Sequence, residues 1–171
     1  MTLHDSARPR TARVVTVSDR AAAGEYADRS GPAAAEALAG HGIRVDGVDV
    51  VPDGDDSVRA AIEAAIGDGV DLVVTTGGTG IGPRDRTPEA TATLLAVRLE
   101  GVEQAMRAAG LPQVPTAVLS RGLVGLTSRG PDAVLVVNAP GSVGGVRDAV
   151  AVVGPLVGHV LGQARGDDPG H

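Results

Sequence analysis

Residues 70–90 of the chain read VDLVVTTGGTGIGPRDRTPEA, which is an apolar run, a glycine-rich loop and the start of a helix. The apolar run has the length and composition of a buried strand. Thr87, Pro88 and Glu89 follow the loop and supply a helix cap, a first-turn proline and an acid that suits the helix dipole. A strand that leads directly into a helix is the repeating unit of an α/β sheet.

The same alternation extends in both directions from this unit. Further strands are predicted at 12–18, 43–51, 115–120, 122–128 and 132–141, and further helices are predicted to start at Ser30, at a cap on Asp55 and at residue 100, with a closing helix over 142–164 bent at Pro155. Continuous apolar strands are typical of a parallel sheet with helices on both faces. The pattern therefore predicts an α/β fold with a parallel-dominated sheet, and a hairpin over 115–128 would add an antiparallel strand.

The length of 171 residues fits one domain with a sizeable core. We predict a single domain over 12–162, with flexible tails at 1–11 and 163–171. No repeat, linker or second domain is visible in the sequence.

Composition argues against several classes of protein. The chain has a net charge of −6, one Tyr, and neither Phe nor Trp, so nucleic-acid binding is not expected. The N-terminal residues lack the apolar segment of a secretory signal. The longest apolar stretch, 149–162, is short for a bilayer and contains Pro155 and His159. These features predict a soluble cytoplasmic protein that binds no membrane.

The absence of two residue types narrows the chemistry further. The chain has no Cys, and all 15 of its basic residues are Arg. A cysteine nucleophile, a lysine Schiff base and a lysine-dependent P-loop are therefore excluded. Catalysis must rest on Asp, Glu, Arg, Ser, Thr, backbone amides or a metal ion.

In parallel sheets, ligands bind where the strands end at their carboxyl edge. The loop 75–88 lacks the dinucleotide fingerprint, because the third glycine counted from Gly78 falls on Pro83. Its glycine amides and threonine hydroxyls still suit an anion. The alternative is a glycine-rich surface turn with a solvated run of charges, and composition alone gives the two readings about equal weight.

Two aspartates stand at separate strand ends. Asp53 and Asp85 together offer the oxygen ligands that a Mg²⁺ ion bridging phosphates prefers, although spacing alone favours an ordinary turn aspartate at 53. Ser142 is not a hydrolase nucleophile, because the position two residues before it is Pro140. Phosphoryl or nucleotidyl transfer by positioning and metal electrostatics is the chemistry that remains.

Six short motifs, in order, carry a family resemblance: SDR (18–20), VPD (51–53), TTGGTGIGPRDRTPEA (75–90), AMR (105–107), LSR (119–121) and NAPGS (138–142). They resemble the molybdopterin adenylyltransferase (MogA/MoaB) family, to which a domain of gephyrin is related. The resemblance covers about 12–162. The chain departs from the family at Arg86, where an apolar residue is usual, and in having no lysine near the phosphates.

The resemblance implies a three-layer α/β/α fold, usually a trimer, and a Mg²⁺-dependent reaction. AMP would pass from ATP to the terminal phosphate of molybdopterin and pyrophosphate would be released, before hand-over to a molybdenum insertion protein. Asp53 and Asp85 match the family's catalytic and metal-binding acids. The residues that match its substrate- and nucleotide-binding positions are Ser18, Asp19, Arg20, Thr76, Gly77, Gly78, Thr79, Gly80, Arg84, Ser120, Arg121, Pro140, Gly141 and Ser142. The alternative is a non-catalytic molybdopterin-binding or scaffold protein of the same fold, and the intact acid pair favours the enzyme.

Overall fold

A six-stranded sheet forms the middle layer of the computed structural model, which describes residues 8–167. Its strands are β1 (Thr11–Val17), β2 (Arg44–Val51), β3 (Leu72–Thr76), β4 (Val97–Arg98), β5 (Val124–Leu126) and β6 (Leu135–Ala139). Their order across the sheet is β2-β1-β3-β6-β5-β4. Four strands pair in parallel, and β5 runs antiparallel to both of its neighbours, so the expected antiparallel strand is confirmed.

Helices cover both faces of this sheet. They are α1 (Asp19–Ala22), α2 (Ser30–Gly40), α3 (Asp55–Gly67), α4 (Thr87–Ala92), α5 (Glu100–Gly110), α6 (Val143–Val153) and α7 (Val157–Arg165). Helices α3 and α4 pack on one face, where Ile62 and Ala90 meet Val73. Helices α2, α6 and α7 pack on the other face, where Leu38, Val150 and Leu161 are buried with Leu72. The predicted three-layer α/β/α fold is confirmed.

The predicted hairpin over 115–128 is wrong. Residues Pro115–Leu119 form a 3₁₀ turn, and β5 pairs with β4 and β6 instead. Pro115 explains the difference, because proline lacks the N–H that a strand ladder needs and favours the start of a helical turn. Strand β4 has only two residues, which is too short for a sequence pattern to reveal.

Two predicted helix caps are also wrong. The residue before α3 is Gly54, and Asp55 binds Arg86 instead of capping the helix. Arg86 precedes α4, and the Thr87 hydroxyl donates to the carbonyl of Gly77 at 3.0 Å. That hydroxyl therefore ties the start of α4 to the glycine loop.

The C-terminal segment is interrupted at the predicted proline. A 3₁₀ turn, Gly154–Leu156, separates α6 from α7. A Cβ at Gly154 would lie 2.4 Å from Cδ2 of His41, so the end of α2 fits against this break. By length and composition Val143–Arg165 is able to cross a membrane. Its Val146 and Leu161, however, are buried in the domain core, which makes it a core segment.

Regular secondary structure reaches slightly beyond the predicted domain, 12–162, at both ends. Strand β1 begins at Thr11, and α7 continues to Arg165. The flexibility of the tails predicted at 1–11 and 163–171 stays a prediction. Their outer parts, 1–7 and 168–171, lie outside the described residues.

The buried carboxylate of Asp71, just before the amino-terminal end of β3, connects the two ends of the domain. Asp71 has no exposed surface, and it accepts a hydrogen bond of 2.9 Å from the Thr11 N–H. Arg165 donates to its other oxygen at 2.8 Å. Burial alone would raise the pKa of Asp71, but the Thr11 and Arg165 hydrogen bonds outweigh it, so the pKa lies below its ordinary value.

We expect Asp71→Asn to destabilise the protein by about 1.5–3 kcal/mol at pH 7, because a charged acceptor is lost from buried hydrogen bonds. A depressed pKa contributes stability above the unfolded-state value, 3.8, which is lost as the pH falls through the folded-state value. In urea unfolding, the difference in unfolding free energy between the variant and wild type should therefore narrow as the pH is lowered below 3.8.

Asp68→Asn is the matched control, because Asp68 pairs with Arg13 at 2.7 Å in an exposed bridge. It should change the unfolding free energy by less than about 1 kcal/mol. An Asp71→Asn variant as stable as wild type at pH 7 would contradict the assignment.

The turn after β3 leaves no room for a side chain. Gly77 has φ +104°, and a Cβ there would lie 2.3 Å from the carbonyl oxygen of Val17. Gly78 has φ +65°, and its Cβ would lie 2.3 Å from Oγ1 of Thr87. Both positions require glycine, for space and for backbone conformation.

We expect Gly77→Ala to cost more than about 1 kcal/mol, because backbone strain and a clash with a carbonyl coincide. Thermal unfolding would measure the loss. Gly67→Ala is the control, since nothing lies within 4 Å of a Cβ there. It should be neutral or stabilise the protein by up to about 1 kcal/mol. Equal melting temperatures for the two variants would contradict this account of the turn.

Candidate active site

The site lies where the strand order changes direction. From β1 the chain continues to β2 on one side, and it then returns to form β3 on the other side of β1. The loops that leave the carboxyl ends of β1 and β3 therefore diverge and leave a crevice between them, which is the usual ligand position in such sheets.

Two cavities open at this edge. The first cavity has a volume of about 520 Å³, and the second has about 650 Å³. Predicted residues in the first are Ser18, Asp53, Thr76, Gly77, Gly78, Asp85 and Gly141. Predicted residues in the second are Thr79, Gly80, Ser120, Pro140 and Ser142. The remaining predicted residues, Asp19, Arg20, Arg84 and Arg121, line neither cavity.

A backbone ridge separates the cavities. The glycine loop and the loop after β6 each contribute residues to both, with Gly78 and Gly141 on one side and Thr79 and Ser142 on the other. A Cβ at Gly141 would lie 3.2 Å from the Cα of Gly77, so the two loops touch backbone to backbone. The Thr76 hydroxyl strengthens this contact by donating to the Pro140 carbonyl at 2.8 Å.

The ridge presents unused hydrogen-bond donors. Within residues 8–167, the N–H groups of Gly78, Thr79 and Gly80 donate to no protein acceptor. At the facing loop, Ser142 caps α6 by accepting from the Gly145 N–H at 3.0 Å. Amides without a protein acceptor beside a helix N-terminus are a favourable setting for phosphate oxygens.

Asp53 is held by a reciprocal contact with Asp19. The Asp19 N–H donates to Oδ2 of Asp53 at 2.9 Å, and the Asp53 N–H donates to Oδ1 of Asp19 at 3.0 Å. Arg84 donates two hydrogen bonds to the Asp19 carboxylate, from Nε at 3.0 Å and from Nη2 at 2.9 Å. Its Nη2 also donates to the Asp53 carbonyl at 2.7 Å. Asp19 and Arg84 therefore position the loop that carries Asp53.

The acids in this network differ in their pKa. Hydrogen bonds from Arg84 hold the pKa of Asp19 below its ordinary value. Burial raises the pKa of Asp53, and the neighbouring charges of Asp19 and Asp85 add to the increase. Asp53 is thus a partly buried carboxylate near two other negative charges, and a bound cation would stabilise its ionised form.

Asp85 is fixed by the loop that precedes it. The Gly82 N–H donates to its Oδ2 at 2.8 Å. A Cβ at Gly80 or Gly82 would lie 2.8 Å from the same oxygen, so these glycines let the backbone close around the carboxylate. Its other oxygen, like Oδ1 of Asp53, accepts no hydrogen bond from the described residues.

Arg121 was predicted to bind substrate, but its donors are used within the protein. Nε donates to the Gly80 carbonyl and Nη2 to the Asp85 carbonyl, both at 2.8 Å. Nη1 pairs with Glu89. Arg121 therefore stabilises the conformation of the glycine loop through two of its carbonyls.

Arg86 and Arg20 are also paired with acidic side chains. Arg86, the departure from the family pattern, binds Asp55 at 3.0 Å and lies 3.8 Å from Glu89, so it joins α3 to α4. Arg20 pairs with Glu25 at 3.1 Å on the surface.

Asp53 and Asp85 supply the carboxylate oxygens that could bind Mg²⁺ in the first cavity. No group of three or more His, Cys, Asp or Glu side chains suited to a metal occurs within residues 8–167. Mg²⁺ often binds through one or two carboxylates together with substrate phosphates. The free oxygens of Asp53 and Asp85 on one cavity fit that mode and do not form an all-protein site.

Sequence reasoning missed several lining residues. In the first cavity these are Thr16, Val17, Tyr26, Asp28, Arg29, Ser30 and Val143, and in the second they include Glu103, Met106, Arg107, Gln113 and Arg147. Residues 26–30 follow the SDR motif (18–20) in the same loop, and none of the six motifs covers them. The residues of α5 were missed because the strand predicted at 115–120 placed the neighbouring chain in the sheet.

Comparison with known proteins assigns the chain to a family. Residues 13–159 match the family described as "Probable molybdopterin binding domain". The chain is 40% identical to molybdopterin adenylyltransferase of Pyrococcus furiosus over 95% of this chain and 96% of that protein. It is 39% identical to the molybdenum cofactor biosynthesis bifunctional protein of Chlorobaculum tepidum, over 93% of this chain. The chain spans only 49% of that larger relative's length.

A solved structure supports the same relationship. The molybdopterin biosynthesis Mog protein of Mycobacterium ulcerans superposes with a TM-score of 0.81 at 45% identity. The match covers 91% of this chain and 99% of that one. The six motifs, the fold and the matched length agree, and the chain belongs to the molybdopterin-binding MogA/MoaB family.

Proposed function

We propose that this protein is a molybdopterin adenylyltransferase: it transfers AMP from ATP to the terminal phosphate of molybdopterin and releases pyrophosphate, in molybdenum cofactor biosynthesis. Its similarity to the Pyrococcus furiosus enzyme over nearly the full length of both chains supports this activity. The observation that carries it is the pair of cavities that meet at one ridge of unused amides.

The two cavities suit a reaction between two substrates. If each cavity holds one substrate, their phosphates meet at the ridge formed by Gly78, Thr79 and Gly80. An oxygen of the molybdopterin phosphate then attacks the α-phosphorus of ATP, and the bond from that phosphorus to the bridging oxygen breaks. Both electrons of that bond leave with pyrophosphate. The attacking phosphate is already ionised near neutral pH, so no strong general base is needed.

The roles of the protein groups follow from their positions. The ridge amides donate to phosphate oxygens and stabilise the charge that builds up during transfer. Asp53 and Asp85 would hold Mg²⁺, which neutralises the triphosphate when bound. Asp19, Arg84 and Arg121 keep these two acids in place. Preorganised donors of this kind need little rearrangement during the reaction.

We expect Asp53→Asn and Asp85→Asn each to lower the rate of AMP transfer by about 100-fold or more, because either change removes a carboxylate from the metal and phosphate site. Pyrophosphate release from ATP, measured with Mg²⁺ in the presence and absence of molybdopterin, reports the rate.

Asp56→Asn is the matched control for charge. Asp56 is exposed at the start of α3 and lines neither cavity, so its loss should leave turnover within about twofold. If both site variants stay folded and keep wild-type turnover, the assignment of the acids fails.

The second candidate, a binding or scaffold protein without catalysis, remains a testable alternative. It predicts that calorimetry detects molybdopterin binding but no binding of ATP with Mg²⁺. The retained acids and the unused ridge amides favour the enzyme, because a scaffold needs neither.

The proposal also covers the oligomeric state of the protein, its cellular location and the protein that receives its product. We propose a homotrimer in the cytoplasm that passes its product to a molybdenum insertion protein. Exposed apolar side chains around the second cavity, Leu111, Val114, Val118 and Leu119, supply surface for association.

Light scattering should give a mass about three times the chain mass of 17.0 kDa. Changing Val114 and Val118 to Asp together should lower that mass, because both side chains are more than half exposed in a single chain. A monomeric mass for the wild type at micromolar concentration would contradict the trimer.

A further inference from the structure

Tyr26 is the one residue in the chain that is Tyr, Phe or Trp. It lines the first cavity together with Asp53, Asp85 and the glycine loop, and 46% of its surface is exposed. Tyr26 belongs to neither of the two buried clusters of the core, so its ring is available to a ligand in this cavity.

The Tyr26 ring is held at two points. Its hydroxyl lies 2.8 Å from Oγ of Ser18, and Ser18 is itself fixed as the cap of α1, accepting from the Ala21 N–H at 3.2 Å. The guanidinium of Arg20 lies 5.1 Å from the ring centroid. A ring restrained by a hydrogen bond and a cation–π contact loses little freedom when a ligand packs on it.

The polar groups beside the ring are already paired with one another. Thr16 Oγ1 donates to Asp28 at 2.7 Å, and Ser30 Oγ donates to the other oxygen of Asp28 at 3.3 Å. The Gly31 N–H donates to Asp28 as well, at 3.0 Å. The tyrosine ring therefore shares the cavity with three paired polar side chains, those of Thr16, Asp28 and Ser30, and with Arg29.

Other residues that line the same cavity have a different character. They are the carboxylates of Asp53 and Asp85 and the backbone of the glycine loop, which suit a metal ion and phosphate. A ligand that fills the first cavity thus needs an anionic group for these residues and a flat ring for the tyrosine.

We propose that Tyr26 is a binding residue that stacks on the planar nitrogen heterocycle of the substrate in the first cavity. This inference rests on the proposed function, which supplies two substrates with such a ring, a purine and a pterin. Both rings present a π face to the tyrosine, and stacking of this kind tolerates differences at the ring edge.

Tyr26 also supplies its own spectroscopic test. Because the chain has no Trp, Tyr26 is its single intrinsic fluorophore in the 280 nm band. Titration with AMP and with ribose 5-phosphate, corrected for absorption by the ligand, compares ligands that differ by the adenine ring. Titration with pterin tests the second ring. We expect quenching by AMP, by pterin or by both, and none by ribose 5-phosphate.

Two substitutions of Tyr26 distinguish stacking on its ring from simple apolar contact with the ligand. Tyr26→Leu keeps an apolar side chain but removes the π face, and should weaken binding of the quenching ligand, measured by calorimetry, by about tenfold or more. Tyr26→Phe keeps the ring and should bind within about threefold of wild type. Leu156→Ala is the control, because Leu156 is exposed in the turn after α6 and lines neither cavity.

The outcomes distinguish this inference from the proposed function. Quenching by AMP alone assigns the first cavity to the nucleotide, and quenching by pterin alone assigns it to molybdopterin. If neither ring quenches Tyr26 and folded Tyr26→Leu binds both ligands as wild type does, the inference is overturned, even when AMP transfer is intact. If AMP transfer is absent but a ring quenches Tyr26, the stacking site stands and the proposed reaction fails.

Discussion

Close packing of backbone against backbone at the end of β3 is the constraint on which the site depends. Gly77 lies against the Val17 carbonyl and against Gly141, so three loops converge with no side chain between them. This convergence produces the ridge, and the ridge divides one crevice into two cavities. Side chains at these positions would separate the loops and move Asp53 and Asp85 apart.

Arginine supports this arrangement in a chain without lysine. The planar guanidinium of Arg121 donates to two loop carbonyls, and that of Arg84 grips a carboxylate with two nitrogens while reaching a third acceptor. A lysine ammonium lacks this fixed fork of donors. Arg84 and Arg121 are therefore structural, and the unused donors on the ridge are backbone amides.

The sequence predicted the features that depend on local pattern. The strand, loop and helix of 70–90 and the α/β layers follow from apolar runs and breaker residues, and they were predicted well. The partner of β5 was predicted wrongly, because Pro115 turns a strand-like run into a 3₁₀ turn. Asp53 and Asp85 were proposed as site acids from the family motifs, because their place after strands alone favoured an ordinary turn aspartate at 53. The orientation of Arg121 depends on the path of a loop that no pattern encodes. Tyr26 was missed because a single aromatic residue in a polar loop has no periodicity.

The break between α6 and α7 couples two positions that are far apart in the sequence. The imidazole of His41 occupies the space that a side chain at Gly154 would need. A larger residue at 154 therefore requires the ring at 41 to move away or to be replaced by a smaller side chain. In a set of related chains, a larger residue at 154 should accompany a smaller residue at 41.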